Sequence, residues 1–312
     1  MNNQKGEKGI TLLALIITVV IMIILAAVTI NITLGDGGLI DQAKTAAEAT
    51  VNSAQSEQEQ LDSLEQELAN ILAENEGPVS IPESETQVAN YADVDGNGTV
   101  DGVIYADLAI GGSGQWTDSD GTYTIPKGSN FKKYEVTQES YSGSFGTGKV
   151  IAPVSGSSGN ERFYVMALSN VTGSYSTWYW YYSAYGNMSD YATYTSTDFG
   201  AGEENTAKMI TKWNSNGYGS QNARDMWGIS AVQSGTWNGS SGWYIPSRGE
   251  WSAFADQLDI TTSNYSEVGL SDFYWSSSQY STSGAWHANF SGGNFYDGDV
   301  DTSDYVRLGT TF

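Results

Sequence analysis

The stretch Asp93-Val94-Asp95-Gly96-Asn97-Gly98-Thr99-Val100-Asp101 puts oxygen-bearing side chains at loop positions 1, 3, 5 and 9: Asp93, Asp95, Asn97 and Asp101. Thr99 lies between the last two. Calcium takes six to eight hard oxygen ligands, and this spacing gathers such oxygens round one point. Gly98 occupies the sixth position, where a calcium loop turns sharply. The twelfth position, where a bidentate Glu usually closes the shell, is Ile104; Asp107, three residues on, is the candidate substitute. The pattern therefore predicts a structural calcium site at Asp93, Asp95, Asn97, Thr99 and Asp101, with no other cofactor. The same spacing also suits an Asx- and Gly-rich turn between strands that needs no ion, and the residues alone do not choose between the two.

Catalytic chemistry has few candidates. The chain has no cysteine, which removes disulfides, thiolate nucleophiles, Cys-ligated zinc and iron–sulfur clusters. It has one histidine, His287. Acid–base work by His287 with Asp299 or Asp301 would have no identifiable nucleophile or oxyanion-stabilising element to serve, so the sequence reads as a non-enzyme with no catalytic residue. The 312 residues carry 13 Lys+Arg against 36 Asp+Glu, a formal net charge of −23. Such a chain repels phosphates, which excludes a nucleic-acid partner. Only 16% of residues are charged, while 36 Gly, 20 Tyr and 10 Trp suit an extracellular β-rich binding domain.

The elements that position these groups begin with an apolar N-terminus. The 21 residues 10–30 hold no charge and, as a helix, would extend roughly 31 Å, about one bilayer core. Lys5 and Lys8 precede them, so the remainder is expected outside the membrane. Gly35-Asp36-Gly37-Gly38 breaks the helix, and residues 39–76 read as helix again, with Leu61, Leu64, Leu68 and Leu72 forming one stripe. Gly77-Pro78 ends this stalk, and a linker runs to residue 90. Lys8-Gly9 followed by Ile10-Thr11-Leu12-Leu13-Ala14-Leu15 resembles the class III leader of type IV pilins and pseudopilins. That resemblance implies cleavage by a prepilin peptidase between Gly9 and Ile10, a leader over 1–9, a transmembrane pilin-like helix over 10–33 and a stalk over 34–76. It also implies pilin-like subunits as partners. Ala14 stands where the family usually has a Glu that serves filament assembly, which puts polymerisation in doubt more than processing.

From residue 91 the chain reads as folded: a calcium-loop and strand segment over 91–124, then a domain over 125–312. Strands are expected at Gly102–Ala109, Gly121–Ile125 and Arg162–Leu168, and helices at Thr206–Asn214 and Ser247–Leu258. Ser247 with Glu250 three residues later forms a capping-box signature. In the segment after Gly284, Trp286, Ala288 and Phe290 alternate with His287, Asn289 and Ser291, which predicts one inward and one outward strand face. Gly292-Gly293 reads as a two-residue turn, and Asn294 to Asp304 as a loop. Exposed Tyr, Asn, Ser and Gly make an adaptable contact surface.

Gly242-Trp243-Tyr244-Ile245-Pro246-Ser247-Arg248-Gly249-Glu250-Trp251, then Tyr274-Trp275-Ser276-Ser277-Ser278, Ala285-Trp286 and Val306-Arg307 resemble the C-type-lectin-like fold. More narrowly, they resemble the variable proteins diversified by bacterial retroelements and the related formylglycine-generating-enzyme branch. The resemblance implies an α+β protein: an N-terminal transmembrane and stalk helix, then a C-type-lectin-like domain of short strands and two helices. Its variable segment would be 285–304. Diversification in that family acts on template adenines, often in AAC codons, which cannot become Lys, Glu, Gln, Met or Trp codons by change at the first two bases. None of those five residues follows Trp286. The expected ligand-binding residues are His287, Asn289, Ser291, Asn294, Phe295, Tyr296, Asp297, Asp299, Asp301, Thr302, Ser303 and Asp304. The expected function is a membrane-anchored or pilus-associated bacterial surface protein, adhesin- or receptor-like, binding a protein or glycan. The alternative is a structural minor pilin without a dedicated ligand site.

Overall fold

The computed structural model describes residues 7–34, 43–47, 50–58, 60–61, 63–64, 81–118, 120–171, 176–177, 191–215, 226, 229–299 and 302–312. The chain divides into two compact units, Met1–Gly77 and Pro78–Phe312.

In the first unit, helix α1 spans Glu7–Leu34 and contains Gly9 and Ile10. Its side chains are described without interruption from 14 to 26, and all of these are exposed. Residues 43–47 and 50–58 are helical, and Leu61 and Leu64 are exposed; Leu68 and Leu72 lie outside the described residues. Among the described residues no helix is long and apolar enough to cross a membrane. The expected transmembrane span over 10–33 is corrected on that finding.

The second unit is mixed α/β and mostly strand, which also corrects the expected α+β plan of a few short strands and two helices. Strands β1 (Tyr91–Ala92), β2 (Gly102–Asp107), β3 (Gly112–Gly114), β4 (Tyr123–Ile125), β5 (Tyr134–Gly143), β6 (Gly146–Pro153), β7 (Phe163–Ala167) and β8 (Ser176–Thr177) come first. Short helix α2 (Tyr191–Tyr194), α3 (Gly202–Ser215) and α4 (Ser230–Ser234) follow, then β9 (Thr236–Trp237), β10 (Ser240–Ser241) and α5 (Arg248–Gln257). Strands β11 (Phe273–Gln279), β12 (Gly284–Asn289), β13 (Asn294–Asp299), β14 (Ser303–Asp304) and β15 (Gly309–Thr311) close the unit.

The central sheet has the order β15-β7-β2-β1-β6-β5, and β1 runs parallel to β6. At its centre both faces are covered, and all six residues of β2 are buried, so that strand shows no in–out alternation. Ala92, Ile104 and Val165 point into one apolar cluster with Trp243, Trp275 and Leu308. Their neighbours Tyr91, Val103 and Met166 enter a second cluster with Trp251, Phe254 and Tyr274. A three-stranded sheet, β11-β12-β13, carries the C-terminal hairpin, with β13 on its edge.

Residues 81–90, read from sequence as linker, are tied into this unit. The buried Arg162 guanidinium donates to the carbonyls of Ile81 (3.2 Å), Pro82 (3.1 Å) and Glu85 (3.0 Å). It also grips Asp107 at both oxygens, each at 2.9 Å. Helix α5 begins as its sequence dictates: the Ser247 side chain accepts from the Glu250 amide at 3.2 Å, and Glu250 accepts from the Ser247 amide at 2.6 Å.

Candidate functional site

Strands β12 and β13 pair antiparallel, placing His287 opposite Tyr296, Trp286 opposite Asp297 and Ala288 opposite Phe295. Four residues, 290–293, make the turn rather than two. The Asn289 carboxamide organises it: Oδ1 accepts from the Gly292 amide (2.8 Å) and the Ser291 hydroxyl (3.0 Å), while Nδ2 donates to Asn294 Oδ1 (2.8 Å). The segment expected as loop from Asn294 is largely strand β13, because its partner β12 supplies the backbone pairing that its mixed composition does not advertise.

The alternation along β12 holds, but neither face is free. On one face His287 is 5% exposed, sandwiched by Trp275 (ring centroids 5.5 Å apart), Phe273 (5.4 Å) and Tyr296 (5.2 Å). Its Nδ1 lies 2.5 Å from Asp304 Oδ2, also buried. The acid beside His287 is thus Asp304, delivered by β14, and not Asp299. Gly298 makes room for the ring: a Cβ there would sit 2.9 Å from His287 Cε1.

On the other face Trp286 is half-buried and meets Tyr280 edge-on at 4.7 Å. The Arg248 guanidinium stands 4.2 Å over Trp286 and 5.0 Å over Phe295, and pairs with Asp120 at 2.9 Å. Burial pushes the Asp120 carboxyl above its usual value, opposed by the Ser252 hydroxyl and Arg248. Beside them lies a pocket of about 200 Å³, lined by Asp120, Tyr123, Thr197, Asp198, Phe199 and Arg248 among others.

Of the residues expected to face a ligand, Ser291, Tyr296, Asp297, Asp299 and Thr302 are exposed, and Asn289, Asn294 and Ser303 are half-buried. His287, Phe295 and Asp304 are buried and hold the hairpin instead, and Asp301 lies outside the described residues. Arg248, Asp120 and Tyr280 escaped sequence reasoning. They converge from three separate segments, and no local pattern in the sequence joins them.

The second arrangement is the loop joining β1 to β2. Oxygens of Asp93, Asp95 and Asp101, one from each, lie within 4.8 Å of one another. Asp93 accepts from the amides of Asn97 (3.0 Å) and Gly98 (2.8 Å), and Asp101 Oδ2 accepts from the Val94 amide (3.0 Å). Asn97 Oδ1 accepts from the Thr99 amide at 2.8 Å. Gly96 and Gly98 take φ of +70° and +88°, a region closed to most side chains. Burial raises Asp101 to about 6 and nearby Asp95 and Asp93 add to the rise; the Val94 amide and, more weakly, Asn238 oppose it. Asp107 does not serve this loop, since Arg162 holds both of its oxygens.

No protein-family model and no curated protein matches the chain. Among solved structures it is similar to a fimbrial protein from Bacteroides ovatus, with 16% identity and a TM-score of 0.28 over 48% of this chain and 36% of that one. The chain thus spans little more than a third of that protein's length.

Proposed function

We propose that the unit Pro78–Phe312 is a binding module of a bacterial surface protein, presenting its contact surface on the β12–β13 hairpin. The observation that carries this reading is the distribution of exposed rings. Among the described residues of this unit, the large hydrophobic side chains left exposed are Ile110 (40%), Tyr280 (43%) and Tyr296 (52%). Both tyrosines border the hairpin, each resting on a ring fixed beneath it: Tyr280 on Trp286 and Tyr296 on His287. Tyrosine offers large contact area at low entropic cost, and Asp297 and Asp299 flank Tyr296 with charge. The resemblance of the C-terminal motifs to retroelement-diversified proteins agrees with such a surface, as does the absence of Lys, Glu, Gln, Met and Trp after Trp286. The ligand is a protein or glycan, and peptidase processing at Gly9–Ile10 belongs to the same reading.

A structural subunit with no ligand is the second reading, favoured by the exposed apolar side chains of α1. Screening the immobilised full chain against a glycan array and a panel of cell-surface proteins separates the two. Binders should lose at least tenfold in affinity to Tyr296→Ala and Asp297→Ala chains whose melting is unchanged. Binders indifferent to both substitutions would place the contact elsewhere. A near-copy of the gene's 3′ end differing at adenines, beside a reverse-transcriptase gene, would support the diversified reading independently.

A further inference from the structure

We propose that the β1–β2 loop is a calcium site, formed by the carboxylates of Asp93, Asp95 and Asp101 with the Asn97 side-chain oxygen as a fourth ligand. This goes beyond the hairpin and does not depend on it. The first observation is the convergence of three carboxylates within 4.8 Å. The second is independent: Asp101 is 0% exposed and its Oδ1 has no hydrogen-bond donor. Asp93 is nearly as buried, at 1%. Among the described residues no Lys, Arg or His pairs with any of the three; Lys132, which shares a pocket with Asp95, is engaged by Glu161 at 2.7 Å. Two buried anions beside a third are costly without a counter-charge, and a divalent cation supplies one.

The donor set selects the ion. All ligands are hard oxygens, with no nitrogen or sulfur to favour zinc or copper. Calcium accepts six to eight oxygens in flexible geometry, which suits carboxylates and an amide carried on one loop, whereas magnesium demands near-ideal octahedral geometry and gives up its waters reluctantly. Asp93 follows β1 and Asp101 precedes β2, and the Asp101 amide donates to the Ala92 carbonyl at 2.8 Å. The ion would close the β1–β2 connection at the centre of the six-stranded sheet, so its binding should register in the stability of the whole unit.

The test uses the full chain, stripped with chelator and titrated with calcium or magnesium chloride, read by thermal melting and calorimetry. Millimolar calcium should raise the melting temperature by about 5 °C or more, with magnesium much less effective. Asp101→Asn should abolish the rise, although a buried substitution can impair folding. Asp95→Asn is the safer variant because Asp95 is exposed. It should weaken calcium binding at least tenfold and melt no lower than the parent when stripped, since it relieves like-charge repulsion. Absence of calcium heat and of a melting shift in the parent chain would overturn the proposal. So would a shift retained in full by Asp95→Asn, or an equal response to magnesium.

Discussion

His287 and Tyr296 lie face to face across the β12–β13 pair, their ring centroids 5.2 Å apart and their planes within 24° of parallel. The buried imidazole is thus the floor for the most exposed ring among the described residues of the second unit. The two residues should therefore respond oppositely to truncation. Tyr296→Ala should change stability by no more than about 0.5–1 kcal/mol, whereas His287→Ala strips Asp304 of its partner and opens a cavity, costing roughly 2–4 kcal/mol. Denaturant melts of both variants check this, and equal losses would mean that Tyr296 is part of the core.

Gly298 should not tolerate a methyl group. A Cβ would come within 2.9 Å of His287 Cε1 and 3.3 Å of Trp275 Cη2, and neither ring has free space to retreat into. Gly298→Ala should destabilise by roughly 1–3 kcal/mol, seen as a lower urea midpoint.

Glu250 sets a pH dependence. Burial raises its carboxyl from 4.5 to about 7, against hydrogen bonds from Ser247 and Tyr244. Between those values the folded chain holds a proton that the unfolded chain has released. Stability from this group is therefore complete below about pH 4.5 and is lost as pH rises through about 7. Glu250→Gln should flatten that fall, worth on the order of 3 kcal/mol, in melts between pH 5 and 8 without calcium. An unchanged slope in the variant would assign the dependence to other groups, Asp101 first among them.

Arg162→Met should cost roughly 3–5 kcal/mol, because Asp107 would remain buried without its cation and three carbonyls would lose their donor. Arg162→Lys should recover only part of this, since an ammonium cannot span both Asp107 oxygens and the 81–85 carbonyls together. Chemical denaturation of the two variants measures the difference.

What could be read from the chain was local. The Ser247–Glu250 cap spans three positions, and its partners meet whatever the rest of the fold does. The oxygen spacing of 93–101 likewise foretold a convergence of carboxylates within one loop. Alternation along β12 foretold which residues share a face, but not that Trp275 and Phe273 would cover the face holding His287. The His287–Asp304 contact needs β14, whose two residues carry no strand signature. Asp107 looked available to the loop until Arg162, 55 positions away, claimed it. The strands expected at Gly102–Ala109, Gly121–Ile125 and Arg162–Leu168 match β2, β4 and β7, whereas β1, two residues long, is too short to show a period and takes its place in the sheet from its partners β2 and β6.

The Arg162 clasp also bears on mechanical load. A pull along the backbone from the N-terminal side would reach the second unit at Ile81, Pro82 and Glu85, whose carbonyls are fastened to one guanidinium that is itself locked to Asp107 in β2. Tension would have to break several of these bonds together before it could begin to strip β1 from between β2 and β6. Such a clasp would put the resistance to tension at the unit's entrance, far along the chain from the hairpin that carries its exposed rings.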